Sequence, residues 1–183
     1  MRVGEPARTP RRPRILCTGI AVLDEVFRLA AFPVRDEKIR ALDFVSVVGG
    51  GAANAAIAIA RLGGAARFAG PLGEGGGTDP IGDRIIAGLQ AEGVACACAR
   101  VEGAVSPVSG VLVDAQGGRT ILHHRDERLH GAAVADLDRL LADIDGVLAD
   151  DHYPEFAAPI CAAARRRGLP VVLDVEKRIS AAD

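Results

Sequence analysis

The chain has 183 residues, is 49% hydrophobic but only 3% aromatic with no tryptophan, and carries a formal net charge of -2. That length suits one domain, or one domain with a small appendage, around a core of Ala, Val, Leu and Ile. The charge balance weighs against a nucleic-acid or membrane-surface partner, and no apolar run approaches the ~20 residues of a membrane span.

Residues 1–13 are basic and proline-rich, lack the apolar run of a signal peptide, and are expected to form a disordered leader. Residues 14–20 read as a buried strand closed by Gly19 and leading to Asp24. Residues 32–38, FPVRDEK, make a turn, and residues 39–48 alternate loosely as a strand feeding the stretch VGGGAANAAIAIARLGG at 48–64. Gly49, Gly50 and Gly51 lack a Cβ, so their backbone can approach a ligand closely. The helix that follows, expected over 52–62 with Gly63 as its C-cap, directs its free N–H groups to the same place. Asn54 in its first turn adds an amide that donates and accepts. A tight strand-to-helix turn with no ligand has the same composition. A P-loop is excluded because no Gly-Lys-Ser or Gly-Lys-Thr follows. A dinucleotide fingerprint would need a third glycine where Asn54 stands and an acid at a strand end, whereas Glu74 sits in a glycine-rich loop.

Residues 65–69 read as a short strand. A long loop follows, in which Asp79 and Pro80 open a helix running to about Glu92. Residues 94–101 read as one strand, and 108–114 with 119–124 as a hairpin across AQGG. A helix near 134–142, the strand GVLAD ending at Asp150, a helix with Pro154 near its start and the strand PVVLD ending at Asp174 complete the chain. Pro159 is expected to kink that last helix or delay its start. Cys17, Cys96, Cys98 and Cys161 form no Cys-x-x-Cys pair and have no spaced histidines for zinc, so they read as reduced, mostly buried thiols of a cytoplasmic protein.

Strands alternating with helices call for an α/β fold, a Rossmann-like parallel sheet with helices on both faces. The hairpin and the strand before the glycines fall outside that alternation and read as a small separate β-element. Ligands of open parallel sheets bind beyond the carboxyl ends of the strands, which sets Asp24, the Gly49–Asn54 turn and Asp150 on one rim. Asp24 is acceptor-only and suits two hydroxyls of a polyol.

The order of these pieces resembles a known family. Gly19 and Asp24 are followed by Gly49-Gly50 and Asn54, then Ala-Arg-Leu-Gly at 60–63, Gly70-x-x-Gly73-Glu74 and Asp79-Pro80-Ile81-Gly82. This combination is similar to the N-terminal signature of the ribokinase-like, or PfkB-type, carbohydrate kinases, with the ketohexose and sulfofructose kinase branch nearest in look. The resemblance implies a β-lid, here near 38–48 and 108–124, closing over a sugar. It also implies transfer of the γ-phosphate of ATP to a sugar hydroxyl with Mg2+. Carried over by position, Asp24, Gly49, Gly50 and Asn54 would bind the sugar. Lys38 and His123 on the lid would read a substituent, Asp150 would stand near the substrate, and the lid could support a homodimer. The family's Gly-Ala-Gly-Asp motif, with its aspartate base, is absent, and GGGT at 75–78 lengthens a loop. Residues 14–183 are therefore expected to be a partial ribokinase-like domain holding the substrate-binding part, inactive alone. The alternative is a non-catalytic sugar-binding or dimerising half-domain.

Overall fold

In a computed structural model, residues 11–74 and 77–175 are described. Most of the leader, Gly75 and Gly76 of the lengthened loop, and residues 176–183 lie outside the described residues. The end of the leader is held by the domain: Arg11 pairs with Asp145, and the Pro13 carbonyl accepts from the Ala65 N–H at 2.9 Å.

A five-stranded parallel sheet forms the body. Its strands are β1 (Arg14–Thr18), β4 (Ala65–Ala69), β6 (Ala95–Cys96), β10 (Gly146–Asp150) and β11 (Val171–Asp174), in the order β11-β10-β1-β4-β6. One face packs Cys17, Ala66 and Phe68 against α1 (Gly51–Arg61) and α2 (Pro80–Ala91). The other packs Leu16 and Val147 against α3 (Leu137–Leu140) and α4 (Pro154–Arg166). Alanines at 52, 53 and 56 are fully buried, so α1 lies close on the sheet without large side chains. This is how a chain poor in aromatics fills its core.

The longest strand missed by sequence reasoning is β2 (Val22–Arg28). It is one of two inner strands of a second, four-stranded sheet, between β3 (Asp43–Gly49) on one side and β8 (Val108–Val113) with β9 (Arg119–His124) on the other. The hairpin and the strand before the glycines thus do form a small β-element separate from the parallel sheet, with β2 added between them. Arg84 on α2 ties this sheet to the body by bonds to Glu25 Oε1 (2.9 Å) and Ser46 Oγ (2.5 Å).

Other expectations are corrected in detail. The single strand over 94–101 breaks into β6 and β7 (Ala99–Val101), the latter pairing with β5 (Pro71–Gly73) inside the predicted loop. The helix near 134–142 shrinks to the four residues of α3. Pro159 neither delays nor interrupts α4, which starts at Pro154 and runs through it. Its missing N–H leaves the Glu155 carbonyl without the usual i+4 donor. The Asp79-Pro80-Ile81-Gly82 run is a brace: buried Asp79 caps α2 and accepts from Ser106 N–H (3.1 Å), and Ser106 Oγ accepts from Gly73 N–H (2.9 Å). That brace sets Pro107 to accept from Leu23 N–H, so it fixes where the second sheet begins.

Candidate functional site

The site lies where the two sheets meet. Gly49 ends β3 beside Asp24 on β2; a Cβ on Gly49 would stand 2.1 Å from Asp24 Oδ2, so any larger residue would push the carboxylate aside. Gly50 caps α1 with φ 98°, a left-handed conformation that favours glycine. Asp24 is half-buried and hydrogen-bonded to the Ser109 side chain. Burial raises its pKa above the usual carboxylate range, and the Ser109 bond offsets part of that rise. Strand register sets Val47, Asp24, Ser109 and His123 in one row across the four strands, hence on one face. Ser109 escaped sequence reasoning because it lies in a run read only as half of a hairpin.

Asn54 is exposed on the first turn of α1. Its backbone N–H bonds Gly50 O at 2.8 Å, while its side-chain amide is unengaged among the described residues. Lys38 is exposed in the connection between β2 and β3 and not on a lid strand.

Asp150 is 5% exposed and lies beneath the glycine turn. Its Oδ2 accepts from Ile20 N–H and Ala52 N–H, both at 2.9 Å, and its Oδ1 from His152 N–H at 3.1 Å. The Ala53 N–H is taken by Ile20 O at 3.3 Å. The start of α1, expected to offer free N–H groups to a ligand, gives those of Ala52 and Ala53 to acceptors within the protein instead. An incoming phosphate there would also meet the Asp150 carboxylate. The described residues therefore do not fit a triphosphate at this turn. Nor does any group of three or more His, Cys, Asp or Glu among them gather to hold a metal ion such as magnesium.

All four histidines of the sequence line one cavity of about 370 Å³, with Arg125 and Glu127. It is bounded by His123, in the row of Asp24, and by His152, beside Asp150. Their crowding between positions 123 and 152 was the available signal. His130 contacts Glu155 (3.3 Å) and stacks edge-on over Tyr153 (5.2 Å), whose hydroxyl burial pushes up to about 12.

Residues 12–175 match the pfkB family carbohydrate kinase profile. The chain belongs to that family. A ribokinase-like protein from Agrobacterium tumefaciens superposes with a TM-score of 0.80 at 34% identity, over 89% of this chain and 52% of that one. A fructokinase from Xylella fastidiosa gives 0.67 at 27%, over 90% and 51%. The Arabidopsis thaliana ribokinase complexed with ribose and ATP shares the fold, with a TM-score of 0.72 at 24% identity over 91% and 54%. The bifunctional protein HldE of Halorhodospira halophila is 31% identical over 175 residues, which is 90% of this chain and 35% of that protein. The chain thus spans about half the length of these solved pfkB-type relatives.

Proposed function

We propose that the chain supplies the sugar-holding part of an ATP-dependent carbohydrate kinase acting on a ketose, an aldose or a derivative of one. The observation that carries this reading is the Asp24 carboxylate set in the room left by the missing Cβ of Gly49, in one row with Ser109 and His123. Asp24 accepts two sugar hydroxyls, Asn54 a third from the α1 side, and Gly49 and Gly50 let the ring approach the backbone. The second sheet acts as the lid, with Lys38 and His123 reading a substituent at its edge. Asp150 works from below, holding the turn and α1 in register for the sugar. The Arabidopsis ribokinase bound to ribose and ATP supports both substrate classes. ATP, when bound, supplies the phosphoryl group, and Mg2+ neutralises its charge. With no Gly-Ala-Gly-Asp motif in its sequence, this chain alone is expected to bind sugar without turning it over.

The lid also favours a homodimer. Val26, Val45, Val111 and Ile121 form one apolar cross-strand row, and Val45 and Ile121 are exposed. No helix among the described residues is long and apolar enough to cross a membrane, and the four cysteines are free thiols, in keeping with a cytoplasmic setting.

Calorimetric titration with a panel of ketoses and aldoses, paired with an ADP-release assay, tests the reading. Losing a hydrogen bond to a charged acceptor costs about 1.5–3 kcal/mol. Asp24→Ala should therefore weaken the best sugar about tenfold or more, and Asn54→Ala should also weaken it. Unchanged affinity in both variants overturns the site. Binding without ADP release in the chain alone, with ADP release from a longer protein containing it, separates the kinase from the non-catalytic alternative.

A further inference from the structure

β4 carries a charge in mid-strand, where a parallel sheet usually has none. Strands covered on both faces read as near-continuous apolar runs, and β4 is alanine and phenylalanine except for Arg67 at its centre. Side chains alternate along a strand. With Ala66 and Phe68 packed toward α1 and α2, Arg67 falls on the opposite face. Register sets it between Leu16 of β1 and Ala95 of β6. Leu16 is fully buried in the cluster beneath α3 and α4. β6 is the edge strand, and beside it that face opens into a cavity of about 530 Å³.

Arg67 is partly buried and lines this cavity. Its Nη1 donates to Leu140 O at 2.6 Å, which brings the guanidinium to the end of α3. The neighbouring residue, Arg139, lines the same cavity. An arginine has five N–H donors, and among the described residues the Arg67 side chain uses only that one bond. Neither guanidinium is paired with a carboxylate among those residues. Asp136, on the same wall, caps α3 by accepting from Arg139 N–H at 2.9 Å. Arg100 on β7 shows the ordinary arrangement: it donates to Gly73 O and pairs with Asp83.

A cation drawn out of water costs free energy unless an anion compensates it. Two guanidiniums against one acid leave the cavity with a positive balance. The rest of its wall is mostly small and apolar, with Ala97, Val134 and the edge of Phe156. Its volume lies within the roughly 300–1,000 Å³ of small-molecule sites.

We propose that this cavity binds a small organic phosphate, a phosphomonoester on a compact apolar body. Such a group carries roughly -1.5 to -2 charges, which matches two guanidiniums better than a carboxylate does. The Arg67 donors left over by Leu140 take phosphate oxygens. Exposed Arg139 supplies the second charge, and Val134 and Phe156 contact the body. The cavity shares no residue with the Asp24 row or the glycine turn, so the proposal stands apart from the sugar reading.

Phenyl phosphate, titrated into the full chain by calorimetry, is the probe. It should bind, and more weakly as salt rises. Benzoate should bind less tightly. Inorganic phosphate, which lacks the body, should be about tenfold weaker or more, and neutral benzyl alcohol should not bind. Arg67→Met and, at an exposed position, Arg139→Met should each weaken phenyl phosphate about tenfold or more. Arg67→Lys, which keeps the charge without the planar fork, should fall between parent and Arg67→Met. Arg35→Met, in the connection between β2 and β3, and Asp24→Ala should bind as the parent does. The proposal is overturned if phenyl phosphate does not bind, or if Arg139→Met or Arg67→Met binds it like the parent. Inorganic phosphate binding as tightly would mean an adventitious ion only, and benzoate or benzyl alcohol binding as tightly would remove the case for a phosphate. Loss of binding in Asp24→Ala would put the probe in the sugar site and overturn the proposal as well.

Discussion

On β1 of the parallel sheet, neighbouring residues Leu16 and Cys17 are both completely buried, because α4 covers one face and α1 the other. On β9 of the second sheet every residue is exposed, and Val45, Val47, Ile121 and Leu122 of that sheet open to solvent as well. The first sheet is specified by what packs on it. The second keeps apolar area open at a cost, which makes sense for a surface that closes on something else. The candidate site sits on the seam, taking its rigid floor from the first sheet and its polar row from the second.

The sharpest way to break this contrast is to cut a large side chain from each sheet. Phe68→Ala, in the buried core of the parallel sheet, should cost about 3–5 kcal/mol, whereas Leu122→Ala should stay within about 0.5 kcal/mol. Urea denaturation of the full chain reads both. A comparable loss for Leu122→Ala would mean that the second sheet is covered in solution.

The floor of the site should respond next. Asp150→Ala strips the acceptor from the N–H groups of Ile20 and Ala52, where one unsatisfied buried group costs about 1–3 kcal/mol. We expect a loss of about 2–4 kcal/mol in the same measurement. Asp150→Asn, which keeps one acceptor oxygen, should lose less. Equal losses would locate the effect in the negative charge at the α1 start.

Asp24 should behave in the opposite sense. Its folded pKa is raised, so protonation favours the folded state: the stability it contributes is present below the unfolded value of about 3.9 and is lost as pH rises through the folded pKa. Asp24→Asn should therefore raise the melting temperature at pH 7, an advantage that fades as pH falls toward the ordinary aspartate range, while weakening sugar binding. A melting temperature lowered at pH 7 would show that Asp24 serves the fold. The smallest effect is reserved for Lys38→Met, with stability changed by less than about 0.5 kcal/mol. If Lys38 reads an anionic substituent, this variant penalises an anionic sugar well beyond a neutral one; equal losses make it ordinary surface.

The same contrast separates what could be read from sequence. Strands and helices of the parallel sheet followed from apolar runs bounded by glycine and proline, because burial on both faces leaves an unbroken hydrophobic signal. β2 was lost because VLDEVFR belongs to a sheet with partly exposed faces. Its charged residues have specific tasks: Asp24 faces the site and Glu25 takes Arg84. The glycine turn was legible as a tight strand-to-helix junction, which Gly50 makes with φ 98° at the start of α1. Ser109 and the histidine cavity were not, because they are assembled by strand register and by a 3-10 turn at Glu127–Gly131 that no local pattern announces. The Asp150 environment was hidden for the same reason: its partners are far away in sequence.

That distance has a consequence for how the chain is made. Asp150 stands 98 positions after Ala52 and 130 after Ile20, the two N–H groups it secures. At synthesis rates of roughly 5–20 residues per second, the α1 start waits about 5–20 s for its acceptor to be made. Until β10 docks beside β1, the Ile20 and Ala52 N–H groups lack their carboxylate, and the start of α1 is tied to β1's end only by Ala53 N–H on Ile20 O. The glycine turn is thus among the last parts of the body to set, and agents that act on nascent chains meet it open.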